Sequence, residues 1–297
     1  MMLARDLDSA LGGPMGGISP DVYCQKDFEA ISKIVYDISG IAMPKTKAML
    51  VYSRLAPLVR ATNSATFAAY VRLIRENAAE CARAVESLTT NHTFFYRESH
   101  HFEHFAKSVR PALLEKLARR EPVRMWSAGC SSGEEIWSLV LTLLGPDAHE
   151  GGRIAGGNLL VLATDLSSRV LATAQAATYR AEDFEAVPEP LRRAWTRPTT
   201  LQGVPALEVL PQARQFARFK LLNLQEKWPL SRPFDVIFCR NVMIYFDQPT
   251  KERLVSRLCS QLHPGGHLYI GHSERATGPA EAELTQVGPT IYRRKAA

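Results

Sequence analysis

From Val123 onward the chain alternates short, continuously apolar runs with helical ones, and that alternation most narrowly limits what it can fold into. Residues 123–126 read as a strand, followed by the turn Ser127-Ala128-Gly129-Cys130-Ser131-Ser132-Gly133 and a helical run over 134–144. Residues 159–164 read as a second strand running into Asp165, with a helix over 168–177 behind it. A third strand, 234–239, stops at Arg240-Asn241; a helix over 248–262, a His263-Pro264-Gly265-Gly266 turn and a strand over 267–270 follow. Strands that are apolar throughout, each followed by a helix, belong to a parallel sheet covered by helices. The alternation lapses between about Tyr179 and Arg218, where Pro188, Pro190, Pro198, Pro205 and Pro211 punctuate short β-like pieces. An inserted β-subdomain over about 180–218 explains this better than a long structureless loop.

Residues 21–90 have a different period. Phe28, Ile31, Ile34, Val35 and Ile38 recur at three and four, as do Phe67, Tyr70, Val71 and Ile74, so 20–90 is expected to be a small all-helical domain. Gly12-Gly13-Pro14 and Gly16-Gly17 mark 1–19 as a flexible tail, and 91–297 forms the second domain. With 297 residues, 46% hydrophobic and 22% charged, the chain is long and apolar enough for a real core, which excludes disorder as its main character. Its longest strongly apolar stretch, 137–144, is far short of the ~20 residues that cross a bilayer, and Asp6 and Asp8 interrupt any secretory leader. A cytoplasmic protein is expected. The five cysteines are scattered without a C-x-x-C pair, so neither a disulfide framework nor a zinc site is indicated.

The chemistry sits at the strand ends. Ligands of open parallel sheets bind beyond the carboxyl ends of the strands, where glycines admit the ligand to the backbone. Here Gly129 and Gly133 flank Cys-Ser-Ser, and Glu134-Glu135 open the next helix. Two carboxylates there repel a pyrophosphate and attract a cationic group, which favours an aminoacyl sulfonium over a dinucleotide, although acidic first turns also suit the helix dipole. Asp165 is placed to accept hydrogen bonds from ribose hydroxyls, or to cap the following helix. Arg240-Asn241 stands at the mouth of the 234–239 strand, where a ligand is met.

Six segments carry a resemblance. They are Leu88-Thr-Thr-Asn91-His-Thr93-Phe-Phe-Tyr-Arg97-Glu98, Trp126-Ser-Ala-Gly-Cys-Ser-Ser-Gly133-Glu134-Glu135, Ala163-Thr-Asp165, Asn223-Leu224, Phe238-Cys-Arg240-Asn241-Val-Met-Ile-Tyr245-Phe246 and Gly271-His272-Ser273-Glu274. In this order they resemble the chemotaxis receptor glutamate methyltransferases, the CheR-type enzymes. The resemblance implies a Rossmann-like methyltransferase sheet with a small inserted β-subdomain behind an all-helical N-terminal domain. It implies use of S-adenosylmethionine to form glutamyl methyl esters on the cytoplasmic helices of transmembrane chemoreceptors. Asn91, Thr93, Arg97, Glu135, Asp165, Asn223, Leu224, Arg240 and Asn241 fall at cofactor-contacting positions, with Glu135 preferred over Glu134 for the methionine amine. Arg97 and Tyr245 occupy positions near the transferred methyl group. The reaction needs no metal, and His100, His101 and His104 are read as packing or surface residues.

Net charge is +6, and 38–75 contains no acidic residue while holding Lys45, Lys47, Arg54, Arg60, Arg72 and Arg75. A single-sign block suits a partner rich in glutamates, as the adaptation region of a chemoreceptor is, and family members use a basic N-terminal helix this way. No interleaved aromatics or binding module point to nucleic acid. Pro57, inside the corresponding helix over 47–60, is expected to end or kink it. The insert resembles a subdomain that in some family members captures a receptor tail peptide by strand addition. This chain has Arg197-Pro-Thr-Thr-Leu-Gln-Gly203 where those members carry a Gly-x-Gly loop, so weak or absent dependence on the tail is expected. Two other readings are a methyltransferase of the same architecture acting on nucleic acid or a small molecule, and a non-catalytic receptor adaptor. A monomer suffices for all three.

Overall fold

The computed structural model describes residues 18–19, 21–154 and 157–296. The tail expected over 1–19 lies, apart from Ile18 and Ser19, outside the described residues. The chain divides into two compact units, one reaching to Thr90 and including Tyr245–Asp247, the other comprising Asn91–Ile244 and the residues from Gln248 on.

The first unit is helical: α1 (Gln25–Ser39), α2 (Ala48–Ala61), α3 (Phe67–Glu76) and α4 (Ala78–Leu88). Polar caps set the boundaries. Thr66 accepts from Ala69 N at the start of α3 and Asn77 from Glu80 N at the start of α4, while Gly40 takes the left-handed conformation that ends α1. Phe28, Ile31, Val35, Phe67, Tyr70 and Ile74 are buried, as their spacing requires. Pro57 does not end α2, which continues to Ala61. Pro57 and Ser53 are both exposed, so the carbonyl that loses its helical donor lies on the solvent side, where the loss is smallest. Arg54 holds two helices together, because its guanidinium donates to the carbonyls of Leu88 (3.1 Å) and Thr89 (2.7 Å) and closes the end of α4. Lys45, Lys47 and Arg60 are exposed.

The second unit begins with α5 (Ser99–His104), which passes through a π turn into α6 (Arg110–Ala118). Then come β1 (Val123–Ala128), α7 (Glu134–Leu144), α8 (Ala148–Ile154), β2 (Leu159–Asp165) and α9 (Ser168–Ala176). The insert supplies β3 (Thr178–Arg180), α10 (Glu189–Trp195), β4 (Thr196–Leu201), β5 (Val204–Val209) and α11 (Pro211–Arg214). The chain returns through β6 (Ala217–Leu221), β7 (Phe234–Cys239), α12 (Gln248–Ser260), β8 (Leu262–Ile270), β9 (Leu284–Gly288) and β10 (Ile291–Arg294). The main sheet has the order β6-β2-β1-β7-β8-β10-β9, and β3-β5-β4 form a separate antiparallel sheet. The five strands from β6 to β8 run parallel, and β10 is antiparallel to both of its neighbours. α7 is buried from Glu135 to Leu144 and lies in the core, where Trp137 is fully buried and its indole N–H donates to Ala174 O at 3.0 Å.

Two boundaries differ from expectation. β8 starts at Leu262 and takes in the His263–Gly266 turn through an irregularity between Phe234 and Val236 of its partner, so pairing overrides the turn signal. β6 belongs to the main sheet, so the insert's own sheet ends at Val209.

One buried and one half-buried imidazole make stability depend on pH. Burial depresses His267 to about 4, helped by His104 and Arg293, and depresses His101 to about 3, helped by Arg240. An unfolded histidine titrates near ~6.5, so from there down to about 4 the unfolded chain binds protons that the native chain refuses. These rings cost no stability above about pH 6.5 and a growing amount as pH falls, until the folded values are reached. The melting temperature is expected to drop from about pH 7.5 to about pH 5, and H267Q is expected to flatten that drop. An identical drop in H267Q refutes the assignment to His267.

Candidate active site

Four parallel strands end side by side along one edge of the sheet, in the order β6, β2, β1, β7, and each delivers a polar segment there. β1 leads into the glycine turn. The N–H groups of Gly129 and Cys130 both donate to Thr164 O, at 2.8 and 2.9 Å, which folds the turn over the end of β2. Gly129 (φ +82°) and Gly133 (φ +102°) occupy backbone conformations that side chains rarely adopt. A Cβ on Gly129 would lie 2.5 Å from Val242 Cγ2, and one on Gly133 would lie 2.7 Å from the Ala174 backbone. Tyr179 of the insert steadies this turn by donating its hydroxyl to Ser132 O at 2.7 Å.

Asp165, at the end of β2, accepts from Ser131 N (2.9 Å) on one oxygen and from Ser167 N (3.0 Å) on the other. Ser167, not Asp165, caps α9. Ser131 in turn donates its hydroxyl to Asn91 O at 2.7 Å, so Asn91, the turn and Asp165 form one connected piece. Beyond β6, Leu222 N donates to Asp165 O, Asn223 accepts from Gln225 N at 3.0 Å and Leu224 O accepts from Arg257 at 2.6 Å. Asn223 and Leu224 thereby stand next to the end of β2. Thr93 is half-buried in the same loop as Asn91.

At the end of β7, Arg240 is 5% exposed and sits between two carboxylates. Its Nη1 lies 3.3 Å from Glu135 Oε2 and its Nη2 lies 3.3 Å from Glu98 Oε2, while Nη2 also donates to the Arg97 carbonyl. Burial pushes the Glu135 carboxyl up, with Arg240 and a 2.7 Å hydrogen bond from Ser127 pulling against it. Glu134 instead accepts from Ser132 Oγ at 2.7 Å and is less buried. Arg97 donates through Nη1 to His92 O at 2.8 Å, and its guanidinium lies over the Phe94 ring. Tyr245 closes the short helical turn Met243–Tyr245 after β7. Its carbonyl accepts from Ala42 N at 2.9 Å, within the helical unit, and its side chain is half-buried.

Residues 26–89 match the all-alpha domain of CheR methyltransferases and residues 91–292 match their SAM-binding domain. The chain belongs to the CheR methyltransferase family. A probable chemotaxis protein methyltransferase of Rhizobium etli is 40% identical over 262 residues, 88% of this chain and 96% of the relative. Chemotaxis protein methyltransferase 2 of Pseudomonas aeruginosa is 35% identical over 280 residues, 94% and 96% of the two chains. The chemotaxis protein methyltransferase of Escherichia coli is 36% identical over 271 residues, 89% of each.

This CheR methyltransferase uses S-adenosylmethionine, and the edge just described fits that cofactor. The glycines let the turn pack tightly over the strand end, and Glu98, Glu135 and Asp165 outnumber the buried cation beside them, Arg240. A surplus of carboxylates suits a ligand bearing sulfonium and ammonium charges. Sequence reasoning overlooked four polar groups in this network. Glu98, Glu274 and Ser131 lie inside the family-like segments but received no role there, and Tyr179 carried no motif signal. Glu274 accepts from the N–H groups of Gly271 (2.6 Å), Asn241 (3.1 Å) and Ile244 (3.2 Å), which pins the loop after β7. His101 and His104 pack within the second unit. His101 is fully buried with Nε2 2.9 Å from Thr290 Oγ1, and His104 Nδ1 is 2.9 Å from the Tyr269 hydroxyl. Among the described residues no group of three histidines, cysteines or carboxylates is arranged to hold a metal, and no helix is long and apolar enough to cross a membrane.

Proposed function

We propose that this CheR methyltransferase esterifies glutamate side chains on the cytoplasmic helices of chemoreceptors. The observation that carries the reading is the convergence of Asp165, Asn223-Leu224, Glu135 and Arg240-Asn241 on one edge of the sheet in a chain of this family. Asn91, Thr93 and Arg97 complete the cofactor-contacting set.

When bound, S-adenosylmethionine supplies an electrophilic methyl group on a positively charged sulfur. A glutamate side chain titrates near ~4.3, so at neutral pH the acceptor is already an anion and no general base is needed. The protein's work is therefore to hold the carboxylate in line and to keep water from it. Arg97 is fixed at Nη1 by His92 O, which leaves the rest of its planar fork to grip a carboxylate of substrate or cofactor. The Tyr245 hydroxyl fixes one carboxylate oxygen. Lys45, Lys47 and Arg60 are exposed within the acid-free stretch and dock the enzyme, as a monomer, on the acidic receptor surface; Arg54 is engaged with α4. Pro198 lies in β4, an edge strand of the small sheet, and removes a donor that an added peptide strand would need, which supports weak tail dependence.

Incubation with tritiated S-adenosylmethionine and receptor-bearing membranes tests the proposal. Base-labile methyl label on the receptor is expected, falling roughly 100-fold in R97A, as the loss of a charged hydrogen bond at the reacting centre predicts. Receptor lacking its C-terminal peptide is expected to label equally well. Label in RNA with a silent receptor overturns the assignment.

A further inference from the structure

Glu98 stands where three loops meet. It follows Arg97, opens α5, and adopts a left-handed backbone (φ 58°, ψ 61°) that a glutamate rarely takes. That turn directs its carboxylate toward the ends of β7 and β8. Oε2 faces Arg240 Nη2 at 3.3 Å. Oε1 accepts from Asn241 Nδ2 at 3.2 Å and lies 2.9 Å from His272 Nδ1. One side chain thus ties the segment that carries Arg97 to the Arg240-Asn241 pair and to the loop after Ile270. The groups that answer it are cations or donors, and together they overcome the cost of burial and hold its carboxyl down to about 2. It is ionised at neutral pH.

Asn241 needs such a brace. Its backbone is left-handed (φ 58°), and its amide N–H is held from the opposite side by Glu274, 3.1 Å away. Glu274 fixes the main chain at Asn241, and Glu98 fixes the side chain. The space is tight as well: a Cβ on Gly271 would come within 2.5 Å of Asn241 Nδ2, so the amide has little freedom on that flank.

We propose that Glu98 is a positioning residue for methyl transfer, setting the Asn241 amide in the attitude that receives the cofactor. The inference rests on the reading of Asn241 as a cofactor contact, and the experiment separates the two. S-adenosylhomocysteine is titrated by calorimetry into the wild-type protein, E98Q, N241A and the double variant. E98Q keeps size and one acceptor but removes the charge, and N241A removes the amide that Glu98 holds.

The expected result is about tenfold weaker binding in E98Q, at least tenfold in N241A, and no further loss beyond about twofold when E98Q is added to N241A. Steady-state labelling is expected to show the KM for S-adenosylmethionine raised about tenfold in E98Q, with kcat and the receptor KM within twofold. A merely structural glutamate would instead lower the active fraction, and so the apparent kcat, with KM unchanged. If N241A binds like the wild type, the cofactor reading of Asn241 fails and the inference with it. If N241A binds weakly while E98Q binds normally, or if their effects simply add, the inference alone is overturned. Should E98Q not fold, E98D, which keeps the charge but draws the oxygens back, is expected to give the same KM shift at smaller size, and its absence counts against the proposal.

Discussion

Asp165→Asn is expected to weaken S-adenosylhomocysteine binding by roughly 100-fold, about 2.7 kcal/mol. The aspartate accepts from Ser131 N with one oxygen and from Ser167 N with the other. An asparagine has a single acceptor oxygen, so whichever way it turns, its NH₂ faces a backbone N–H. One N–H, on the glycine turn or at the start of α9, then lies buried without an acceptor, at a cost of about 1–3 kcal/mol. In the cofactor-contacting role proposed for Asp165, the ribose hydroxyls would also lose a charged acceptor, a further loss of similar size. The first loss lowers stability with or without the cofactor, so calorimetry on the folded variant reads the second. Affinity within threefold of wild type would show that Asp165 is an anchor for the turn and does not touch the cofactor.

Gly133→Ala is expected to cost about 3 kcal/mol of stability and to abolish measurable cofactor binding in whatever remains folded. Gly133 combines φ +102° with contacts that leave a methyl group no room: the new carbon would meet the Tyr179 hydroxyl at 2.6 Å and both Ala174 carbons at 2.7 Å. The Ala174 main chain belongs to α9, and its carbonyl also holds Trp137 in the core, so it cannot yield cheaply. For a domain of this size the melting temperature should fall by roughly 6–12 °C. Gly152→Ala is the matched control. Nothing lies within 4 Å of a Cβ at that position in α8, and its φ is not positive, so the substitution should stabilise slightly, by about 0.5–1 kcal/mol. Equal behaviour of the two variants would refute the steric argument.

The strands β1, β2 and β7 were readable because a strand buried on both faces must be apolar throughout, and few other structures ask for that. β9 and β10 escaped notice. Leu284-Thr-Gln-Val-Gly288 and Ile291-Tyr-Arg-Arg294 lie toward the edge of the sheet, where half the positions face solvent and the pattern is short and mixed. Pro57 does not end its helix for a related reason: a proline's cost depends on which side of the helix it faces, and only packing decides that side. Arg54 likewise looked like one more surface cation among several until the fold brought Leu88 and Thr89 to it.

The order of elements, the glycine turn, and the residues able to meet a cationic nucleoside ligand were all inherent in local period and residue chemistry, which a linear string records. The company those residues keep was not. Glu98, Asn241 and His272 are distant in the chain, and only the hydrogen-bonded order of the parallel strands brings β7 and β8 side by side. Strand order is a non-local choice among hydrogen-bond registers with similar local patterns, so the tertiary structure alone determined which carboxylate restrains which cation at the edge of the sheet.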